Sequence, residues 1–167
     1  MQGTDYRERV PVPGWVMPVA GALGGLWVAR RLQQLRKRRS AFMKVFSLIN
    51  AVGTATTVLA VVRRFAYVAV EVSDDVIHLG FGPMERSIPA SSVRDVRVTT
   101  YNPLPFLGWG YRFSTDGRRA FSQIGVRRGV EILTQENGRQ RRYFVSSNEP
   151  EALASAIATV AGVGAAA

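Results

Sequence analysis

Val10–Ala29 reads VPVPGWVMPVAGALGGLWVA, and the fold of the chain depends on whether this run lies in water or in lipid. It is twenty residues long and carries no charge, the length a helix needs to cross roughly 30 Å of hydrocarbon. A spanning helix is therefore expected, with Pro11 and Pro13 in its lead-in and Pro18 at a kink. Trp15 suits one interface; Trp27, followed by Arg30 and Arg31, suits the other. A cleaved signal peptide fits less well, because the basic residues follow the apolar run and a second apolar run comes after it.

That second run is Phe42–Val62, FMKVFSLINAVGTATTVLAVV. It has spanning length but contains Lys44, Ser47, Asn50, Gly53, Thr54, Thr56 and Thr57, so taken alone it is the weaker candidate. A buried helix of a soluble core is its competing reading. Two such runs around a basic connector favour a membrane hairpin, with helices expected at about residues 12–30 and 41–63. Small residues recur at helix-packing spacing, at Gly21, Gly25 and Ala29 on the first and at Ser47, Ala51 and Ala55 on the second. Asn50 is a candidate for a hydrogen bond between the helices. These faces either close the hairpin on itself or dock onto helices of a larger assembly.

The charge is unevenly spread. The chain has 22 Lys and Arg against 12 Asp and Glu, a net +10. Eleven basic and two acidic residues precede Phe65, a net +9, and the remainder carries eleven Arg against ten acids, a net +1. A nucleic-acid module places its excess charge on the folded domain that meets the phosphates; here that domain is nearly neutral, so no nucleic-acid partner is expected. The connector Arg30–Ser40 holds Arg30, Arg31, Arg36, Lys37, Arg38 and Arg39 and no acid, a set expected to contact lipid headgroups. The positive-inside rule puts it in the cytoplasm. With two spans the following domain then lies outside; with one span and an interfacial second segment, connector and domain share the cytoplasmic side.

Beyond Arg64 the rhythm becomes that of short antiparallel strands. Strands are expected at 65–72, 76–82, 84–88, 93–100, from Tyr111 onward with 119–124, at 129–134 and at 141–146. The connections are turn-rich: Ser73-Asp74-Asp75, Gly82-Pro83, Thr115-Asp116-Gly117 and Glu136-Asn137-Gly138. Asn148-Glu149-Pro150-Glu151 marks a helix starting near Glu149, with an Asn cap and a proline in the first turn. Its Leu153, Ala156, Ile157 and Val160 share one side. The division expected is a membrane anchor over 1–64, a β domain with its helix over 65–163 and a flexible tail at 164–167.

Seven antiparallel strands and one C-terminal helix resemble the pleckstrin-homology-like (PH-like) fold. The chain resembles bacterial membrane-anchored PH-like proteins through Tyr6-Arg7-Glu8-Arg9-Val10, Gly108-Trp109-Gly110-Tyr111-Arg112, Gly129-Val130-Glu131-Ile132 and Ser146-Ser147-Asn148-Glu149-Pro150-Glu151-Ala152-Leu153. The resemblance implies an α+β chain: an N-terminal transmembrane helical hairpin, then a PH-like seven-stranded antiparallel β-barrel or sandwich capped by a C-terminal helix. It implies a cytoplasmic domain, against the charge of the connector. Its motifs are structural and speak to architecture, not to activity.

Catalytic signals are sparse. His78 is the one histidine and there is no cysteine, so neither a Ser-His-Asp triad partner pair nor the common transition-metal ligand sets are expected. Gly80-x-Gly82 runs into Pro83 and a strand, and Gly125-Val-Arg-Arg-Gly129 lacks a following helix, so neither has the setting of a phosphate loop. No catalytic, cofactor or metal residue is assigned.

Tyr101-Asn-Pro-Leu-Pro-Phe-Leu-Gly-Trp-Gly-Tyr-Arg112 gathers aromatic residues in a loop. Phe106 and Trp109 either fold back to plug the sheet or, with Tyr111 and Arg112, anchor a partner. Arg118, Arg119, Arg127 and Arg128 fall at turns or strand ends, where they form a solvated face or meet phosphates and carboxylates. The function expected is a non-catalytic, integral inner- or plasma-membrane scaffold whose β domain binds a protein partner or lipid headgroups. The alternative is an accessory subunit of a larger integral-membrane complex, such as a respiratory or photosynthetic one.

Overall fold

The computed structural model describes residues 6–36 and 41–166. The chain is α+β, with two sheets and three helices, and divides into two compact units. One comprises residues 13–65; the other joins the N-terminal residues through Val12 to Ala66–Ala167. The division therefore departs from the expected boundary at Phe65. Residues 6–12 belong to the β unit, not to the anchor.

The reason is a strand that periodicity alone does not announce. β1 (Tyr6–Pro11) pairs antiparallel with β2 (Tyr67–Val72), from Tyr6 opposite Val72 to Pro11 opposite Tyr67. The pairing continues one step beyond the strands, where the Val12 amide donates to the Ala66 carbonyl at 2.8 Å. β3 (Val76–Phe81) and β4 (Met84–Pro89) complete a four-stranded antiparallel sheet in sequence order. Alternation sorts the strands into faces: Val10, Val68, Val70, Ile77, Leu79 and Ile88 are buried, while Arg7, Glu71, His78 and Ser87 lie in one cross-strand row on the other face.

The second sheet is assembled from β5 (Val93–Thr100), β6 (Gly110–Phe113), β7 (Arg119–Ser122), β8 (Arg128–Glu136), β9 (Arg139–Ser146) and β10 (Ala165–Ala166), in the order β10-β5-β8-β9-β7-β6. The seven expected strands are present to within a few residues, the one from Tyr111 onward with 119–124 being divided into β6 and β7; β1 and β10 are additional. The sheet is not wholly antiparallel, since β7 pairs parallel with β9 and β10 parallel with β5. The tail expected to be flexible thus contributes a short strand. Between β8 and β9, Asn137 and Gly138 both have positive φ (49° and 77°), the geometry a two-residue hairpin turn demands.

α3 (Pro150–Ala161) buries Leu153, Ala154 and Ile157 in the same core as both sheets. Its cap differs from the expected one. Glu149 occupies the cap position without a side-chain bond, and the Asn148 amide donates instead to Glu8 Oε1 at 2.7 Å. Glu8 also accepts from Ser147 Oγ at 2.6 Å and from Tyr6 Oη at 3.0 Å. β1 is thereby tied to the approach to α3, and burial together with the adjacent Glu8 carboxylate raises the Tyr6 phenol pKa.

Gly129 marks the tightest backbone approach. A Cβ there would meet the Val145 carbonyl oxygen at 2.1 Å and Phe144 Cζ at 2.7 Å. Gly129→Ala is expected to lower stability by about 2–3 kcal/mol through overpacking. Gly80→Ala, whose Cβ has its nearest neighbour at 3.6 Å, should be near neutral. Thermal unfolding in detergent, followed by near-ultraviolet circular dichroism, separates the two.

Candidate functional site

The helical unit holds α1 (Val16–Arg36) and α2 (Ala41–Arg64), which touch each other. Of the two expected spans, α2 is long and apolar enough to cross a membrane over Val45–Arg63, and only 11% of that window is buried within the protein. The apolar helical stretch of α1 is shorter, Val16–Arg30. The ranking suggested by the two runs is therefore reversed. The run beginning at Val10 loses its first residues to β1, where Val10 is fully buried and Pro11 faces Tyr67.

Four of the polar residues that weaken α2 as a span make hydrogen bonds within the helix. Asn50 Nδ2 donates to the Phe46 carbonyl at 2.9 Å, Thr54 to Asn50 at 2.8 Å, Thr56 to Val52 at 2.9 Å and Thr57 to Gly53 at 2.9 Å. Each bond returns to the carbonyl four residues back, which removes most of the cost of placing an amide or hydroxyl in hydrocarbon. Asn50 thus bonds within its own helix instead of bridging to α1. Around these groups Val45, Phe46, Ile49, Val52 and Val58 are all more than half exposed.

The small-residue faces behave differently on the two helices. Ser47 and Ala51 are buried, whereas Gly21, Gly25, Ala29 and Ala55 are exposed. A Cβ at Gly21, Gly24 or Gly25 would meet nothing within 4 Å. These glycines, with Met17, Trp27, Ala55, Val58 and Leu59, line an open apolar groove of about 670 Å³. Arg30 is exposed at the end of the apolar stretch of α1, and Arg31 and Arg36 lie on the same helix. Lys37, Arg38 and Arg39, expected at headgroups, fall outside the described residues.

In the β unit, the loop between β5 and β6 folds back onto the outer face of the second sheet. Tyr101 and Phe106 are buried with Ala120 and Phe144, and Trp109 packs half-buried against them. Tyr101 is the hub, its ring centroid 5.2 Å from Phe106, 5.1 Å from Trp109 and 4.8 Å from Phe144. Its hydroxyl donates to the Gly108 carbonyl at 2.7 Å, and burial raises its pKa against the opposing influence of Ser122 and Arg112. Of the two readings of this loop, the aromatic residues take the plug, and Phe106 presents no free surface. Tyr111 packs half-buried at the main core, 4.8 Å from Phe121.

The loop instead exposes two leucines that aromatic content did not single out. Leu104 and Leu107 are 79% and 89% exposed, the highest values among the large apolar residues described. Leu107 has φ +56°, a conformation uncommon for a bulky side chain; the Gly108 amide bonded to the Pro103 carbonyl at 3.0 Å braces it.

The candidate arginines are not gathered into one cluster. Arg112 turns back on its own loop, its Nε donating to the Trp109 carbonyl at 3.1 Å. Arg118 pairs with Asp116 at 2.7 Å and lies over the Phe106 ring; the nearby Ser114 side chain, then Arg118 itself, lowers the Asp116 pKa. Arg119 stacks over Phe113 and Tyr143. Arg127 is exposed and Arg128 pairs with Glu151. Arg119 lies opposite Tyr143 and Tyr143 opposite Ile132, so Arg128 is four strand residues away, about 13 Å along the strand direction.

A further polar cluster centres on Glu136, which is largely buried. It accepts from Tyr143 Oη at 3.0 Å and Thr134 Oγ1 at 3.3 Å and pairs with Arg86. Burial works against the charge of Arg86, but Tyr143 and Glu136 outweigh it and raise its pKa. The network leaves the buried Arg86 Nε without a hydrogen-bond partner among the described residues, and its other bonds tie β4, β8 and β9 together. Among the described residues no group of three or more His, Cys, Asp or Glu is placed to hold a metal ion.

Phe106→Ala is expected to cost about 3 kcal/mol or more by emptying the aromatic plug, whereas Leu104→Ala and Leu107→Ala should leave the melting temperature within a degree or two. Thermal melts of the three variants test which loop residues hold the fold and which are free for contact. No family model matches the chain, and no curated protein or solved structure does either.

Proposed function

We propose that this chain is a non-catalytic membrane-anchored interaction module: a helical hairpin holds it in the bilayer and a PH-like β unit is presented at one membrane face. The observation that carries the reading is the surface of α2, apolar and outward-facing with its polar groups bonded internally. Water would make so large an apolar surface unfavourable, whereas hydrocarbon suits it. Two sheets with a C-terminal helix in one core support the PH-like description of the β unit, although the parallel β7–β9 pair departs from it.

Strand pairing constrains how the chain can meet the bilayer. β1 precedes the hairpin and β2 follows it, yet the two are hydrogen-bonded neighbours. Both lie on the same side, so the chain between them crosses an even number of times. A topology with α1 spanning and α2 lying at the interface would separate the paired strands. With α2 crossing, α1 crosses as well. Its apolar stretch of fifteen residues, about 22 Å, ends at Arg30 and is followed by Arg31, and arginine side chains are long enough in general to bridge from a short span to headgroups. The connector then lies opposite the β unit, and its basic residues favour the cytoplasmic face.

The chain has no native cysteine, so single-cysteine variants are clean reporters. In sealed vesicles of known orientation, Gln33→Cys and Asp74→Cys are expected to react with a membrane-impermeant maleimide from opposite faces. Reaction of both from one face, or release of the protein by alkaline carbonate, overturns the reading. The interaction itself is assigned to the exposed Leu104 and Leu107. Crosslinking from position 107 in intact membranes should capture a partner that the same protein carrying Leu104→Asp, still folded, no longer captures.

A second reading, an accessory subunit held by its helices, is favoured by one observation: the glycines of α1 line an open groove instead of a filled contact. Gly21→Leu/Gly25→Leu should then release the protein from its assembly on native gels without changing its own melting temperature. Retained association excludes the groove as the docking face.

A further inference from the structure

The β unit has two unlike ends, and the one from which the hairpin departs is built to meet a lipid surface. That end is defined within the β unit by Pro11, Val12, Ala66 and Tyr67, where the chain leaves and returns. The strand register carries it across the first sheet: Val10 lies opposite Val68, Val68 opposite Phe81, and Phe81 opposite Met84. From the second sheet, Gln123 Nε2 donates to the Val10 carbonyl at 3.1 Å, which brings the turn after β7, including Ile124, to the same end. The Gln123–Val126 turn is closed by the Val126 amide on the Gln123 carbonyl at 3.1 Å and leads directly to Arg127.

Three of the large apolar residues exposed on the β unit sit there: Tyr67, Met84 and Ile124, at 38%, 39% and 38% exposure. Two exposed arginines accompany them. Arg9 lies over the Tyr67 ring at 5.2 Å and Arg127 follows the Ile124 turn. At the opposite end of the first sheet, the β2–β3 turn is Ser73-Asp74-Asp75, with both carboxylates exposed. The first end thus carries three apolar residues and two arginines with one exposed acid, Glu85 beside Met84, whereas the other end carries two exposed carboxylates and none of these apolar residues.

We propose that the end bearing Tyr67, Met84 and Ile124 rests in the headgroup layer of an anionic leaflet, with Arg9 and Arg127 on lipid phosphates. The proposal rests on the membrane-anchored reading above and adds a second, peripheral contact to the one made by the helices. Chain length supplies the first argument: two residues, Phe65 and Ala66, separate α2 from β2, a reach of about 7 Å, so this end cannot move far from the point where α2 leaves the bilayer. Charge supplies the second, because phosphate-bearing leaflets attract arginine and repel the acidic turn. An aromatic residue with a polar hydroxyl, such as Tyr67, is suited to that layer.

The test uses the full-length protein in vesicles of phosphatidylglycerol and phosphatidylcholine, with an environment-sensitive fluorophore on Met84→Cys, Ile124→Cys or Asp74→Cys. Headgroup-region spin-labelled lipid is expected to quench the labels at 84 and 124 at least threefold more than the label at 74. Replacing the anionic lipid by phosphatidylcholine should weaken that quenching, and Arg9→Gln/Arg127→Gln should remove its dependence on anionic lipid. Equal quenching at all three positions, in protein that still resists carbonate extraction, overturns this inference while leaving the anchor reading intact. Labels at 84 and 124 that are shielded from water but not quenched by lipid also overturn it, since a protein then covers the face. Release by carbonate overturns the anchor reading first.

Discussion

The hydrogen-bonded pairing of Tyr6–Pro11 with Tyr67–Val72 is the constraint on which the rest of the architecture depends. It joins two chain segments separated by residues 12–66 and so turns the entire helical segment into an insertion between neighbouring strands. Closing a loop of this length costs entropy that grows only with the logarithm of the loop, and two helices packed side by side already return the chain toward its start. The pairing is secured by burial of Val10 and by Glu8, whose carboxylate takes bonds from Tyr6, Ser147 and the Asn148 amide. A short N-terminal segment is thereby built into the sheet, its register held by partners drawn from both ends of the chain.

The two units divide the chemistry of the chain between them. Residues 13–65 contain nine basic residues and no acidic one, and every Asp and Glu lies in the remainder. In α2 the side chains of Asn50, Thr54, Thr56 and Thr57 bond back to helix carbonyls, which leaves the surrounding outward surface apolar. In the β unit the acids are used locally: Glu71 with Arg7, Glu131 with Arg97, Glu136 with Arg86, and Glu151 with Arg128. The partly exposed pairs contribute modestly to stability. Their larger effect is to occupy arginines that would otherwise form a diffuse positive field, so that Arg9 and Arg127 stand at the end from which the hairpin departs.

The loop from Tyr101 to Trp109 shows how local composition can mislead about exposure. Its aromatic rings are drawn onto the outer face of the second sheet because Phe144 and Ala120 offer an apolar floor there, and Gly129 lets the neighbouring strand approach closely. Once the rings are inward, the intervening leucines have no room beside them and turn outward, at the cost of a left-handed conformation at Leu107. Exposed leucines and structural plug are thus made from the same nine residues by alternation of direction.

Much was legible in the amino-acid order: the apolar runs, the turn chemistry, the seven expected strands and the C-terminal helix all follow from local periodicity and from residues with fixed backbone preferences. What lay beyond it depends on partners distant in sequence. Tyr-Arg-Glu-Arg-Val has the alternation of a strand but too few residues to declare itself before Val68 and Val70 supply a neighbour. The relative merit of the two apolar runs changed because β1 took Val10 and Pro11 from the first, while the hydroxyls and amide of the second found acceptors one helical turn back. Burial of Phe106, exposure of Leu107 and the gathering of Tyr67, Met84 and Ile124 at one end were likewise decided by tertiary structure. Sequence determines which residues are apolar and which way successive side chains alternate; only the pairing of remote strands determines which of those faces find cover.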